Sequence, residues 1–279
     1  MSAVPGQASA LLAALGSLLA GIAPRIVACS GGIDSLLLAT IAHRADPRRT
    51  VITHARSPAV PAEAGQRLAH WAAREGWNVQ YLASGEFADE QYLANPVNRC
   101  YFCKSHLYTV LDALAAAADR FERGATVLSG ANVDDLGEYR PGLDAAREHA
   151  VRHPFIEAGI RKQDIRAIAR SLDLPFSEIP ASPCLASRLY TGTRVTAARL
   201  RAVDHGEMLV RGETGIGVVR CRIDGVRMLI EVGAADRERI SAALLARLAA
   251  EVRAIEPGIE TVEFDPQPYR PGRAFVASA

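Results

Sequence analysis

Residues 27–35 read Val-Ala-Cys-Ser-Gly-Gly-Ile-Asp-Ser, and no other stretch constrains the chain as strongly. Before it, Arg25–Ile26–Val27–Ala28 reads as a short buried strand; after it, Leu36 to Ala42 reads as the apolar start of a helix. Gly31 and Gly32 let the backbone approach an anion closely. The first N–H groups of the helix lack internal partners and point at that anion. Ser30 and Ser35 add hydroxyl donors, and Asp34 places a carboxylate where a phosphate-bound magnesium ion can sit. The plainer alternative is a glycine-rich turn with no ligand.

This is not a G-x-x-x-x-G-K-[ST] loop, since no lysine follows the glycines. It resembles the S-G-G-x-D-S signature of the PP-loop pyrophosphatases, which cleave ATP to AMP and pyrophosphate. That resemblance implies an α/β fold of the adenine nucleotide alpha hydrolase-like kind, a parallel sheet with helices on both faces. It also implies ATP and Mg2+ as ligands of Ser30, Gly31, Gly32, Asp34 and Ser35.

The order of the following segments agrees. Val51–Ala55 is a second strand, followed by Ser57–Pro58 and a helix from about Pro61 to Glu75; Gly76 stops it, and Asn78–Leu82 is a third strand. Strand and helix alternating at this spacing implies right-handed crossovers, with ligands beyond the carboxyl ends of the strands. A helix to about Arg120 leads to a fourth strand, Thr126–Gly130, followed by Asn132, Asp134, Asp135, Glu138 and Arg140. That polar cluster suits nucleotide and metal contacts or is a solvated loop. Arg161–Ser171 is another helix. Past residue 190 the pattern becomes helix (196–210), strand (217–223), an Asp-Gly turn, strand (226–232), helix (235–255) and strand (261–264), a small α+β domain. We therefore expect domains at 1–190 and 191–279.

At 279 residues the chain can form two domains. Lys and Arg number 32 against 31 Asp and Glu, so no basic field recommends a nucleic acid partner. Lys104 and Lys162 are the only lysines. The apolar run from Leu11 to Ile22 lacks a basic flank and leads directly into the first strand, so it reads as a helix beside the sheet rather than a signal peptide. No stretch reaches 18 uninterrupted apolar residues, and a cytoplasmic protein without a membrane span is expected.

The cysteines are 29, 100, 103, 184 and 221. Their odd number argues against a disulfide framework and towards metal or catalytic chemistry. Cys29 and Cys221 fall in expected strands and read as core residues. Cys100-x-x-Cys103 at a helix start can direct two thiolates at one metal, with Cys184 a distant third. A zinc site completed by His106, an iron–sulfur cluster with one open iron, and three unconnected thiols all remain open on this reading.

Several stretches together resemble the LarE-type sulfur transferases of the PP-loop superfamily. These are 30–35, Ser57–Pro58, Arg99-Cys-Tyr-Phe-Cys-Lys104, Asn132-Val-Asp-Asp-Leu-Gly-Glu-Tyr-Arg-Pro-Gly142, Pro183-Cys-Leu-Ala-Ser-Arg188 and Tyr269-Arg-Pro-Gly272. The resemblance spans almost the whole chain and implies work on the nickel-pincer nucleotide cofactor. A carboxylate of pyridinium-3,5-biscarboxylic acid mononucleotide would be adenylated by ATP and converted to a thiocarboxylate. In one type of member, a cysteine at the position of Cys184 surrenders its own sulfur. In the other, three cysteines hold a 4Fe–4S cluster that carries sulfide from a separate source. Cys100, Cys103 and Cys184 fit the second type. The resemblance further implies contacts to cofactor or substrate from Ser57, Asp135, Arg188, Glu207, Arg220, Arg222 and Glu231, and a homo-oligomer. Alternation places Arg220 and Arg222 on one strand face, able to meet one phosphate or to face solvent on an edge strand. The chain departs from the family at Ser129, where an acidic residue is usual, at Leu189–Gly192, and at Cys221. A tRNA-thiolating PP-loop enzyme and a nucleotide sensor without catalysis are the rival readings.

Overall fold

The computed structural model describes residues 5–117, 124–137, 139–270 and 274. Glu138, Arg120 and Pro271–Gly272 lie outside the described residues. The chain divides into two compact units. The first runs to Glu86 and resumes at Cys100–Ser182; the second comprises Phe87–Arg99 and the chain from Pro183 onward.

In chain order the first unit contains α1 (Pro5–Ala20), β1 (Arg25–Ala28), α2 (Ile33–Ala45), β2 (Thr50–Ala55), α3 (Ala62–Glu75) and β3 (Val79–Leu82). After the excursion that carries the short helix α4 (Glu90–Leu93), most of α5 (Arg99–Ala116), β4 (Thr126–Ser129), α6 (Pro141–Glu148), the short α7 (Pro154–Glu157) and α8 (Lys162–Ser171) complete it. The four strands are parallel in the order β3-β2-β1-β4. Successive residues face opposite sides of a strand, and two cores result. Val27, Ile52 and Leu128 pack with α1, α2, α3 and α8, whereas Ile26, Val51 and Val127 pack with α5 and α6. Helices thus cover both faces, as the alternating strands and helices imply. The order reverses between β1 and β4, so the chain leaves these two carboxyl ends towards opposite faces and opens a crevice there. The 27–35 stretch ends β1 and starts α2.

The second unit contains α9 (Ala197–Thr214), β5 (Arg220–Asp224), β6 (Arg227–Glu231), α10 (Ala242–Ile255) and β7 (Thr261–Phe264), with sheet order β5-β6-β7. β5 and β6 form the hairpin expected at Asp224–Gly225, and β7 joins β6 in parallel. The helix expected over 235–255 is interrupted: a 3-10 turn spans Ala234–Arg239, Ile240 is buried, and Ser241 caps α10 by accepting from the Leu244 N–H at 3.2 Å.

The compact units part at Ser182–Pro183 rather than near residue 190, and they reassign Phe87–Arg99. Hydrogen bonds explain both. Tyr190 N–H donates to Ile223 O, the Asn95 amide donates to Tyr190 O and Thr193 O, and Val195 N–H donates to Leu93 O. Such pairings across a hundred residues leave no periodic mark in a sequence. Among the described residues, no helix is long and apolar enough to cross a membrane.

Candidate active site

In the first unit the turn after β1 is shaped by glycine. Gly31 has φ +81°, and a Cβ there would lie 2.4 Å from the Ala64 carbonyl oxygen. Both backbone sign and space therefore require glycine. Gly32 is the N-cap of α2, and no side chain caps that helix end. Ser35, expected to face a ligand, is buried and ties the turn together. Its hydroxyl accepts from Ser30 N–H at 3.1 Å and donates to Gly32 O at 3.0 Å. Ser30 itself is exposed at the mouth. Across the crevice, Gly130 follows β4 and abuts α2: a Cβ on it would sit 3.0 Å from the Ser35 nitrogen.

Asp34, in the first turn of α2, holds the Lys162 ammonium at 2.5 Å from each carboxylate oxygen. Burial raises its pKa, Lys162 pulls it down, and Asp135 pushes it up again, the net direction being upward. Lys162 begins α8, whose start is anchored by Asp134, which accepts from Lys162 N–H at 2.9 Å and from Arg161 at 3.0 Å. Asp135 accepts from Asn132 N–H and pairs with Arg140 at 3.1 Å. Ser129 meets His153 Nδ1 at 2.8 Å, and burial keeps that imidazole below its ordinary pKa.

Ser57 donates to Glu86 Oε1 and Ser84 donates to Glu86 Oε2, both at 2.5 Å. Its oxygen also accepts from Ala59 N–H. Ser57 therefore braces the loop after β2 through a buried carboxylate. That loop borders a cleft of about 410 Å³ lined by His54, Arg56, Ser57, Pro58 and Gly65 among others. The Arg56 guanidinium lies 4.2 Å over the Tyr81 ring.

In the second unit, Cys184 is exposed on a loop bolted down by buried charge. Arg188 donates through Nη1 to Pro183 O, Cys184 O and Ser187 Oγ. Its Nε and Nη2 grip Glu207 in a fork at 2.8 and 3.0 Å, with the two side chains only 3% and 2% exposed. Burial opposes the charge on Arg188, but Glu207 more than offsets it and holds its pKa above the ordinary value. Arg211 and Arg220 approach the same carboxylate at 3.4 and 3.7 Å. Burial first, then the charge of Arg188, lower the pKa of Arg220. Arg222 pairs with the fully buried Glu231 at 2.7 Å and also donates to Ser187 O at 3.1 Å. Arg220 and Arg222 do lie on an edge strand, yet both are buried, so the solvent-facing alternative fails.

Cys100 and Cys103 are half-buried in the first turn of α5, on one face at three-residue spacing. Within either unit, among the described residues, no three His, Cys, Asp or Glu side chains are gathered to hold a metal ion. Cys29 and Cys221 are core residues; burial pushes the Cys29 thiol up to about 11 and Cys221 well above its usual range.

No family model matches the chain. A pyridinium-3,5-bisthiocarboxylic acid mononucleotide synthase of Lactiplantibacillus plantarum is 32% identical over 197 residues, 70% of each chain. The chain belongs to the LarE-type sulfur transferase family. An uncharacterized protein of Synechocystis is 38% identical over 200 residues, covering 71% of this chain and 72% of its own. Another, from Methanocaldococcus jannaschii, is 27% identical over 197 residues, 71% and 73% of the two chains. In this LarE-type chain, sequence reasoning placed His54–Ser57 at the ligand-binding end of the sheet without a role for His54, and missed Lys162, Glu86 and Arg211. Lys162 alone left a signal: it is one of two lysines in an arginine-rich chain.

Proposed function

We propose that this protein adenylates a carboxylate of pyridinium-3,5-biscarboxylic acid mononucleotide with ATP and replaces the adenylate by sulfur delivered at Cys184. The placement of Cys184 carries this reading: an exposed thiol on a loop whose carbonyls are held by buried Arg188 and Arg222. The Lactiplantibacillus plantarum relative is named for making pyridinium-3,5-bisthiocarboxylic acid mononucleotide, which supports the corresponding biscarboxylic acid as the substrate.

A carboxylate resists nucleophiles because of its charge and resonance. Attack of its oxygen on the α-phosphorus of ATP expels pyrophosphate and leaves an acyl-adenylate. The N–H groups at the start of α2 and the Lys162 ammonium stabilise the departing charge, and the cleft beyond β2 takes the adenine. Asp34 and Asp135, close enough for one charge to shift the other, would hold a magnesium ion, which would supply positive charge to the phosphates. In the second unit Arg188, Arg211 and Arg220 gather about Glu207 while Arg222 pairs with Glu231, and such a cluster of guanidinium groups suits the substrate's phosphate.

Sulfur then attacks the acyl carbon and AMP leaves. Three thiolates from Cys100, Cys103 and Cys184 would hold a 4Fe–4S cluster, which when bound supplies a carrier for external sulfide. The donor chemistry fits: two cysteines share one helix face and the third is exposed. That same exposure favours a second reading, in which Cys184 surrenders its own sulfur and acts once.

Anaerobic purification and reconstitution, followed by iron, acid-labile sulfide and visible absorption measurements, separates the two. About four irons per chain, lost in Cys100→Ala, Cys103→Ala or Cys184→Ala, supports the cluster. Thiolated product without iron, limited to one equivalent, supports single use. Absence of substrate-dependent pyrophosphate release overturns both.

A further inference from the structure

We infer that His54 selects the nucleobase: its Nε2 accepts a hydrogen bond from the exocyclic 6-amino group of a purine, so the cleft takes adenine and rejects a 6-oxo purine. This rests on the ATP reading above and names the residue that would enforce it.

His54 lies one residue before the end of β2 and two after Ile52, and therefore on the sheet face that carries α3. Its side chain is almost wholly enclosed, the residue being 4% exposed. Nδ1 lies 2.8 Å from the Cys29 carbonyl oxygen. A carbonyl can only accept, so Nδ1 carries the hydrogen. Burial lowers the pKa of the ring, which is then neutral and leaves a lone pair on Nε2. An edge-on contact with Tyr81, centroids 6.0 Å apart, helps to hold the ring's orientation.

The Nε2 edge looks towards Gly65 of α3, where a Cβ would come within 3.7 Å. His54 and Gly65 both line the cleft, so Nε2 borders a ligand-sized space and its neighbour there contributes no side chain to cover it. The cleft also adjoins the anion-binding turn. Ala64, next to Gly65, is the residue against which Gly31 packs, and Arg67 Nε donates to Gly31 O at 3.1 Å. Phosphates at the turn and a base in the cleft therefore belong to one molecule.

The chemistry discriminates between bases. Adenine offers an N6–H donor to the lone pair. Hypoxanthine offers O6, so two acceptors would face each other with their solvation removed. Only the neutral tautomer set by Cys29 reads the base in this sense.

The test is direct calorimetric binding of ATP, inosine triphosphate and purine riboside triphosphate to the full chain, without the second substrate. Wild-type protein is expected to prefer ATP over the inosine nucleotide by roughly tenfold or more, with the purine riboside intermediate. In His54→Phe the ratio should fall towards one. Gly65→Ala, which favours the helix while placing a methyl against Nε2, should narrow the ratio without lowering the melting temperature. A preference for ATP that survives both substitutions overturns the role of His54 while leaving nucleotide binding intact. Failure of the wild-type protein to bind ATP overturns the reading beneath it.

Discussion

Replacing Glu207 by glutamine tests whether charge holds the Cys184 loop. The Glu207 carboxylate is 2% exposed. It accepts from Arg188 Nε and Nη2 at 2.8 and 3.0 Å and from Cys221 N–H at 3.2 Å, with Arg211 and Arg220 at 3.4 and 3.7 Å. Glutamine preserves the shape and one acceptor oxygen but removes the charge and turns an NH2 group towards guanidinium donors. Removing one member of a buried pair costs about 3–5 kcal/mol. Arg211, whose side chain is 23% exposed, can turn to water, so the lower end applies, about 3 kcal/mol. At about 1.4 kcal/mol per decade, amide protection in β5 and β6 should fall roughly a hundredfold. Hydrogen exchange followed by mass spectrometry reads this peptide by peptide, with β1 and β2 as internal controls. A loss of less than about fivefold in β5 and β6, well short of the pair's cost, would falsify the claim that this carboxylate anchors the loop. An equal loss in β1 and β2 would show that the damage is not local.

Gly31→Ala should destabilise the first unit and abolish ATP binding, because the methyl meets Ala64 O at 2.4 Å in a backbone region that disfavours side chains; melting temperature and calorimetry check both effects. Lys162→Gln should raise the pKa of Asp34 further, since Lys162 is the largest influence opposing burial, and carboxyl NMR titration reads it. The stability consequence has a definite sign. A raised folded-state pKa gives stability below the unfolded carboxylate range that is lost as pH rises through the folded value. The variant should therefore lose more stability than wild type between acid and neutral pH, as urea titrations at several pH values would show. Cys184→Ser should leave the melting temperature within about 1–2 °C, the side chain being exposed, yet eliminate thiocarboxylate formation in a mass-spectrometric product assay.

The first unit was legible because its information is local. Strands β1 to β4 and helices α2, α3 and α8 declare themselves by apolar runs, glycines and spacing, and Gly76 ends α3 in the left-handed conformation its identity suggests. The Asp224–Gly225 hairpin was legible for the same reason. Less visible were the short helices α4, α6 and α7, which have too few turns to show a period.

By itself the chain determined the alternation of strand and helix, the glycine turn between β1 and α2, and the residues of the Cys184 motif, because each depends on neighbours a few positions apart. Only tertiary structure decided what those residues face. It brought Lys162 to Asp34 across 128 positions, gave Ser35 and Ser57 internal hydrogen bonds that brace their loops, and buried Arg188 and Arg222 against Glu207 and Glu231. It also moved Phe87–Arg99 into the second unit, where the Asn95 amide reaches the carbonyls of Tyr190 and Thr193. Long-range electrostatics and hydrogen bonding select partners by distance in space, and a side chain's partner in space leaves no trace in its neighbours along the chain.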